Sequence, residues 1–178
     1  MLADVFATPE VWQFPFGRGL TRDETQAFLD QQAVIWATAG FGPWLAVERS
    51  TARVLGYIGL SVPTFLPEIL PAVEIGWRLH PAAWGLGYAT EGARAALDEA
   101  FATLGLPEVY CVIEPGNTAS VRVAERLELR LDRSVVVPAD SRRGVLDAKL
   151  FVVTSEEWRS RGLRQAAQAI VTVPEPCE

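Results

Sequence analysis

The stretch from Val73 to Gly92, V-E-I-G-W-R-L-H-P-A-A-W-G-L-G-Y-A-T-E-G, limits the possible folds more than any other part of the chain. Val73, Ile75, Trp77 and Leu79 alternate as in a strand with one covered face. Pro81 stops strand pairing, and Gly85 and Gly87 remove two side chains where backbone N–H groups can face outward. From Ala89 the period changes: Ala89, Ala93, Ala96, Leu97, Ala100, Phe101 and Leu104 form one helical stripe, closed by Gly105 and Pro107. A strand that enters a helix through glycines makes an anion site, because free amides and the positive end of the helix dipole converge there.

Two familiar anion loops do not fit. A P-loop needs G-x-x-x-x-G-K-[ST], and the only lysine is Lys149. A dinucleotide fingerprint needs a third glycine where Thr90 stands.

The rest of the chain reads as a mixed α and β order. Thr8 and Pro9 open a helical turn, and Pro15–Gly17 is a loop. Thr21-Arg22-Asp23-Glu24 is a capping box. The helix it opens is expected to bury Ala27, Phe28, Gln31, Val34 and Ile35. Residues 44–48 and 54–60 read as an antiparallel hairpin, and the proline-bearing segment 61–71 as a connector or a cleft wall. Residues 108–114 read as a strand parallel to the central one. A short helix follows from about Ala119 to Leu127, then strands over 133–137 and 146–154, and a last helix capped by Thr154 and Glu157. The tail, 165–178, holds the β-prone run Ala169–Val173 and reads as an edge strand or as disordered.

The length fits one domain over 1–178. No apolar run approaches a membrane span, and the N-terminus lacks the basic region of a signal peptide, so the expectation is a cytoplasmic protein without a membrane partner. A net charge of −6 argues against nucleic-acid binding and mildly favours cationic partners. Cys111, Cys177 and the lone His80 have no metal-ligand spacing, so no metal is expected.

Two motifs carry a resemblance. The run Trp84-Gly85-Leu86-Gly87-Tyr88-Ala89 is similar to the acyl-CoA loop [QR]-x-x-G-x-[GA] of the GCN5-related N-acetyltransferases (GNAT), with Trp in the first position as in the ribosomal-protein N-terminal acetyltransferase branch. Asn117-Thr118-Ala119-Ser120-Val121-Arg122-Val123-Ala124-Glu125-Arg126-Leu127 resembles the family's N-x-x-S-x-x-[VL]-x-E-[KR]-[LC], although Glu128-Leu129 replaces the usual Gly-Phe. The family's fold would be α+β (α/β): a mixed, mostly antiparallel sheet with a central splayed parallel pair, flanked by helices. Its first strand is expected to be missing here, because residues 4–14 already resemble the segment that follows it: either the sequence starts late or the sheet has an unfilled edge. An uncovered sheet edge is a hazard, so Ala169–Val173 or a partner chain is expected to cover it.

The resemblance implies acetyl-CoA as co-substrate and a primary amine as acceptor, either a protein or peptide N-terminus or a small molecule. The loop Trp84, Gly85, Leu86, Gly87, Tyr88, Ala89 and Thr90 would hold the pyrophosphate. The pantetheine arm would pair with backbone near Trp77 and Leu79, and Asn117 would hydrogen-bond it. A backbone N–H near Leu79 would face the oxyanion, and Ser120 would sit near the thiol. Glu74 matches a glutamate proposed as base in related enzymes; Glu114 and His80 are the other candidates. Family habit suggests a homodimer. The alternative is a non-catalytic acyl-CoA sensor or interaction module.

Overall fold

In the computed structural model, residues 1–161 can be described. An N-terminal helical segment holds α1 (Leu2–Ala7), a 3-10 turn at Pro9–Trp12 and the helical turn α2 (Gln13–Phe16). The long helix α3 (Arg22–Ala39) follows. Its capping box forms as the sequence requires: Glu24 N–H donates to Thr21 Oγ1 at 3.2 Å, and Thr21 N–H to Glu24 Oε2 at 2.8 Å. Then come β1 (Pro43–Val47), β2 (Val54–Ser61), β3 (Glu74–Leu79), α4 (Tyr88–Ala102), β4 (Glu108–Ile113), α5 (Thr118–Arg126), β5 (Arg130–Val137) and β6 (Leu146–Thr154), and a final helix starts at 155.

The six strands form one sheet in the order β1-β2-β3-β4-β6-β5. Every neighbouring pair is antiparallel except β3–β4. That parallel pair is in register at a single position, Glu74 opposite Tyr110, where Tyr110 N–H donates to Val73 O at 2.9 Å. Beyond it the two strands diverge, so an open seam runs from Ile75 to Leu79.

Alternation sorts the side chains. Val109, Cys111 and Ile113 of β4 enter the main core beneath α4, while Tyr110 and Val112 enter a smaller cluster on the opposite face. The alanine stripe of α4 lets the helix lie close to the sheet. Ala93, Ala96, Leu97 and Ala100 are buried, and a Cβ on Gly92 would stand 2.6 Å from Ile58 Cδ1. A third cluster joins Val5, Phe6, Val11, Trp12 and Leu20, with Phe28 and Tyr57 packed against it.

The expected apolar stripe of α3 is corrected. Thr25 is its only fully buried residue; Phe28 and Ile35 are half-buried, and Ala27, Gln31 and Val34 are exposed, Val34 by 61%. Helical spacing tells which residues share a side; it does not tell whether anything lies against that side. The neighbouring strand β1 has one edge unpaired among the described residues and exposes Leu45 by 54%. The segment 169–173, offered as cover for this edge, lies outside the described residues. None of the described helices is long and apolar enough to cross a membrane.

Candidate active site

The glycine loop has the local geometry its sequence requires. After the 3-10 turn Pro81–Ala83, Gly85 (φ +74°) and Gly87 (φ +89°) take the left-handed conformation open to glycine, and Gly87 is the N-cap of α4. The backbone N–H groups of Gly85, Leu86, Gly87, Tyr88, Ala89 and Thr90 donate to no protein acceptor among the described residues. Six unpaired amides at one helix N-terminus suit a polyanion such as a pyrophosphate. Trp84, in the motif's first position, donates its indole N–H to Leu79 O at 2.8 Å and ties the loop to the end of β3. Tyr88 contributes backbone only, because its hydroxyl donates to Glu48 Oε1 at 2.9 Å and its ring packs on the main core.

A cavity of about 470 Å³ runs from this loop along the seam, between β3 and α5. Strand alternation aims the amides of Trp77 and Leu79 into it. His80 N–H bonds to Leu55 O on the β2 side, so the odd-numbered residues of β3 face β4, as Val73 O does. Arg122 and Arg126, one helical turn apart on α5, line the same cavity, and Arg94 and Arg126 line a shallower cleft beside the loop. None of these three arginines was a site candidate from sequence. The i, i+4 spacing of Arg122 and Arg126 was the available signal.

A second cavity, of about 510 Å³, opens on the other side of the seam. Glu74 lies in it, on the same face of β3 as Arg78. Burial pushes the Glu74 carboxyl up to about 7, against the hydrogen bond from Ser61 Oγ (2.9 Å to Oε1) and the Arg78 charge. Burial also raises Glu114, with Arg78 and Arg143 pulling the other way. Cys111 lines the cavity too, but burial, and then the Glu74 charge, push its thiol far up, which removes it as a nucleophile. Arg78 donates to Phe14 O (2.6 Å) and Val11 O (3.1 Å) and so straps the N-terminal segment over β3.

Phe14, Trp77, Arg78, Asn117 and Ser120 line both cavities, so the two meet there. Asn117 caps α5 by accepting the Ser120 N–H at 3.1 Å. Ser120 Oγ accepts the Trp77 indole N–H at 3.2 Å across the seam, which leaves its own proton available to a neighbour. This side-chain bond was not foreseen, since Trp77 was singled out for its backbone. Glu74 and Ser120 thus border one space. His80 lines neither cavity; its Nδ1 accepts the Ala82 N–H at 3.2 Å.

Residues 1–130 match the acetyltransferase (GNAT) domain family. The chain is 36% identical over 124 residues to an FsC-acetyl coenzyme A-N(2)-transacetylase of Aspergillus fumigatus, covering 66% of this chain and 50% of that protein. It spans about half the length of the first curated relatives it matches. A GNAT-family acetyltransferase from Bacillus anthracis superposes with a TM-score of 0.70 at 20% identity, over 88% of each chain. The ribosomal-protein-S5-alanine acetyltransferase from Vibrio fischeri superposes with a TM-score of 0.69 at 16% identity, over 88% of this chain and 87% of that one. At those identities the two structures share the fold.

Proposed function

The chain belongs to the GNAT acetyltransferases, and from that premise we propose that it transfers an acetyl group from acetyl-CoA to a primary amine by direct attack. The observation that carries this reading is the meeting of the two cavities at Trp77 and Ser120, with six unpaired amides at the far end of one and a carboxyl near neutrality in the other.

The residues divide the work. The loop 84–90, with Arg94, Arg122 and Arg126 nearby, holds the phosphates of the co-substrate. The amides of Trp77 and Leu79 pair with its pantetheine arm as an added strand would. Asn117 presents its amide beside that arm while capping α5. Glu74, directly or through a water, takes a proton from the ammonium form of the acceptor; a base with a pKa near the working pH suits this task. A further β3 N–H near Leu79, left free by the arm, faces the developing oxyanion, and such a donor is worth about 3–4 kcal/mol. Ser120, held by Trp77, gives a hydrogen bond to the departing thiolate.

The protein works in the cytoplasm, and the exposed apolar residues of β1 and α3 support a self-associated form, which sedimentation would detect. The first test is thermal stability with acetyl-CoA, ATP or NAD. A ligand at 100 times its dissociation constant adds about 2.7 kcal/mol. Stabilisation by acetyl-CoA alone, followed by amine-dependent thiol release, is the expected result. Equal stabilisation by ATP or NAD would overturn the cofactor reading, and absence of thiol release with every amine would overturn the transfer reading.

A further inference from the structure

One wall of the cavity around Glu74 stacks two rings between two cations. The Arg78 guanidinium lies 4.0 Å from the Trp12 ring centre. Trp12 stacks on Phe16 at 5.5 Å with 23° between the planes. Arg142 then covers Phe16 at 4.8 Å. The two ends of this ladder differ. Arg78 is engaged by two backbone carbonyls. Arg142 is exposed, and among the described residues its guanidinium has neither a hydrogen bond nor an ion pair.

The loop between β5 and β6 is built to present it. Asp140 Oδ1 accepts the N–H groups of Arg142 (2.7 Å) and Arg143 (3.1 Å), and Asp140 Oδ2 accepts Arg143 Nε at 3.1 Å. The carboxylate therefore fixes the turn and neutralises Arg143, leaving Arg142 as a surplus cation. It stands at the rim of a cavity that also holds Glu74 and Glu114, in a chain whose net charge is −6.

We infer that the acceptor is a small primary amine with a flat apolar body and an anionic group at its far end. This rests on the acetyl-transfer reading above. The amine meets Glu74, the body passes along the edges of Trp12 and Phe16, whose faces the ladder already covers, and the anion meets Arg142. Two stacked rings separate the ends of the ladder, so an anion on the amine's own carbon does not span it. A guanidinium reads carboxylate and phosphate alike, and the cavity volume is that of a small-molecule site.

The test compares benzylamine, 4-(aminomethyl)benzoate and 4-(aminomethyl)phenylphosphonate, with phenylalanine as the short-span control. Thiol release from acetyl-CoA and thermal stabilisation in the presence of CoA are both read on the full chain. The expected result is that at least one para-anionic amine exceeds benzylamine in kcat/KM by about fivefold, the range of an exposed charge pair. The better of the two identifies the anion. In Arg142→Ala that ratio falls toward one, and in Arg142→Glu it inverts, whatever happens to absolute rates. Equal use of all amines, a preference that survives Arg142→Ala, or turnover confined to peptide N-termini would overturn the inference. Arg142-dependent stabilisation by an anionic amine without thiol release would leave the ligand class standing and overturn the transfer reading instead. Neither stabilisation nor turnover by any of the four would overturn the ligand class.

Discussion

The two cavities are built by different means. The cofactor side draws chiefly on one continuous stretch, from Trp77 to Thr90, which offers backbone, the seam amides and the loop amides, and α5 adds the side chains of Asn117, Arg122 and Arg126. The acceptor side gathers side chains from separate parts of the chain, such as Trp12 and Phe16, Phe28, Tyr57, Glu74, Glu114 and Arg142. A backbone site needs glycines at fixed places and a helix behind them, so it tolerates change elsewhere. A side-chain site depends on what surrounds each group, and one substitution alters its chemistry. The first suits a constant co-substrate and the second a chosen acceptor.

The largest expected break falls on the backbone side. Gly87→Glu sets a charge and a side chain at a φ of +89° in the middle of the amide cluster. Acetyl-CoA stabilisation should vanish, with at least a hundredfold loss of affinity. Gly87→Asn, which tolerates that conformation, should keep the fold and much of the binding. If Gly87→Glu retained normal affinity, the loop would not hold the phosphates.

Glu74→Gln should strike the other half alone. We expect kcat to fall by about 10²–10⁴-fold while acetyl-CoA stabilisation persists. In the parent protein, kcat/KM should rise with pH through about 7 as Glu74 ionises. Stability should move oppositely. A carboxyl whose folded-state pKa is raised holds its proton longer in the folded state. It therefore costs stability as pH rises from about 4.5 to about 7, on the order of 3 kcal/mol in all. Glu74→Gln should flatten that slope. An unchanged slope would show that Glu74 titrates normally.

Smaller effects sit where the halves meet. Ser120→Ala should lower kcat by about tenfold, the worth of one hydrogen bond to a charged group, with little change in affinity; a pure affinity loss would make Ser120 a binding residue only. Trp77→Phe keeps the ring but removes the bond to Ser120, and should lower kcat by a few-fold, in line with a neutral hydrogen bond. A double variant no slower than Ser120→Ala alone would confirm that Trp77 acts through Ser120.

Short-range pattern made much of the fold legible. The alternation of Val73 to Leu79, the alanine stripe of α4 and the capping boxes at Thr21 and Thr154 all formed, because each depends on neighbours within a turn or two. The glycine loop was legible for the same reason: its φ values and free amides follow from its own residues. What lies opposite a residue was not. Gln31 lies one turn from Phe28 and Val34 one turn from Gln31, yet only distant packing decides that both stay exposed.

The sequence by itself therefore determined the elements, the anion loop and the residue types available for catalysis. Only the tertiary structure decided that β3 and β4 part after one registered pair, that Trp77 reaches Ser120 across the gap, and that Glu74 lies where burial lifts its pKa toward neutrality. The reason is physical. Hydrogen-bonded turns and side-chain periods are set by local geometry, whereas desolvation and cavity walls are properties of groups brought together from far along the chain.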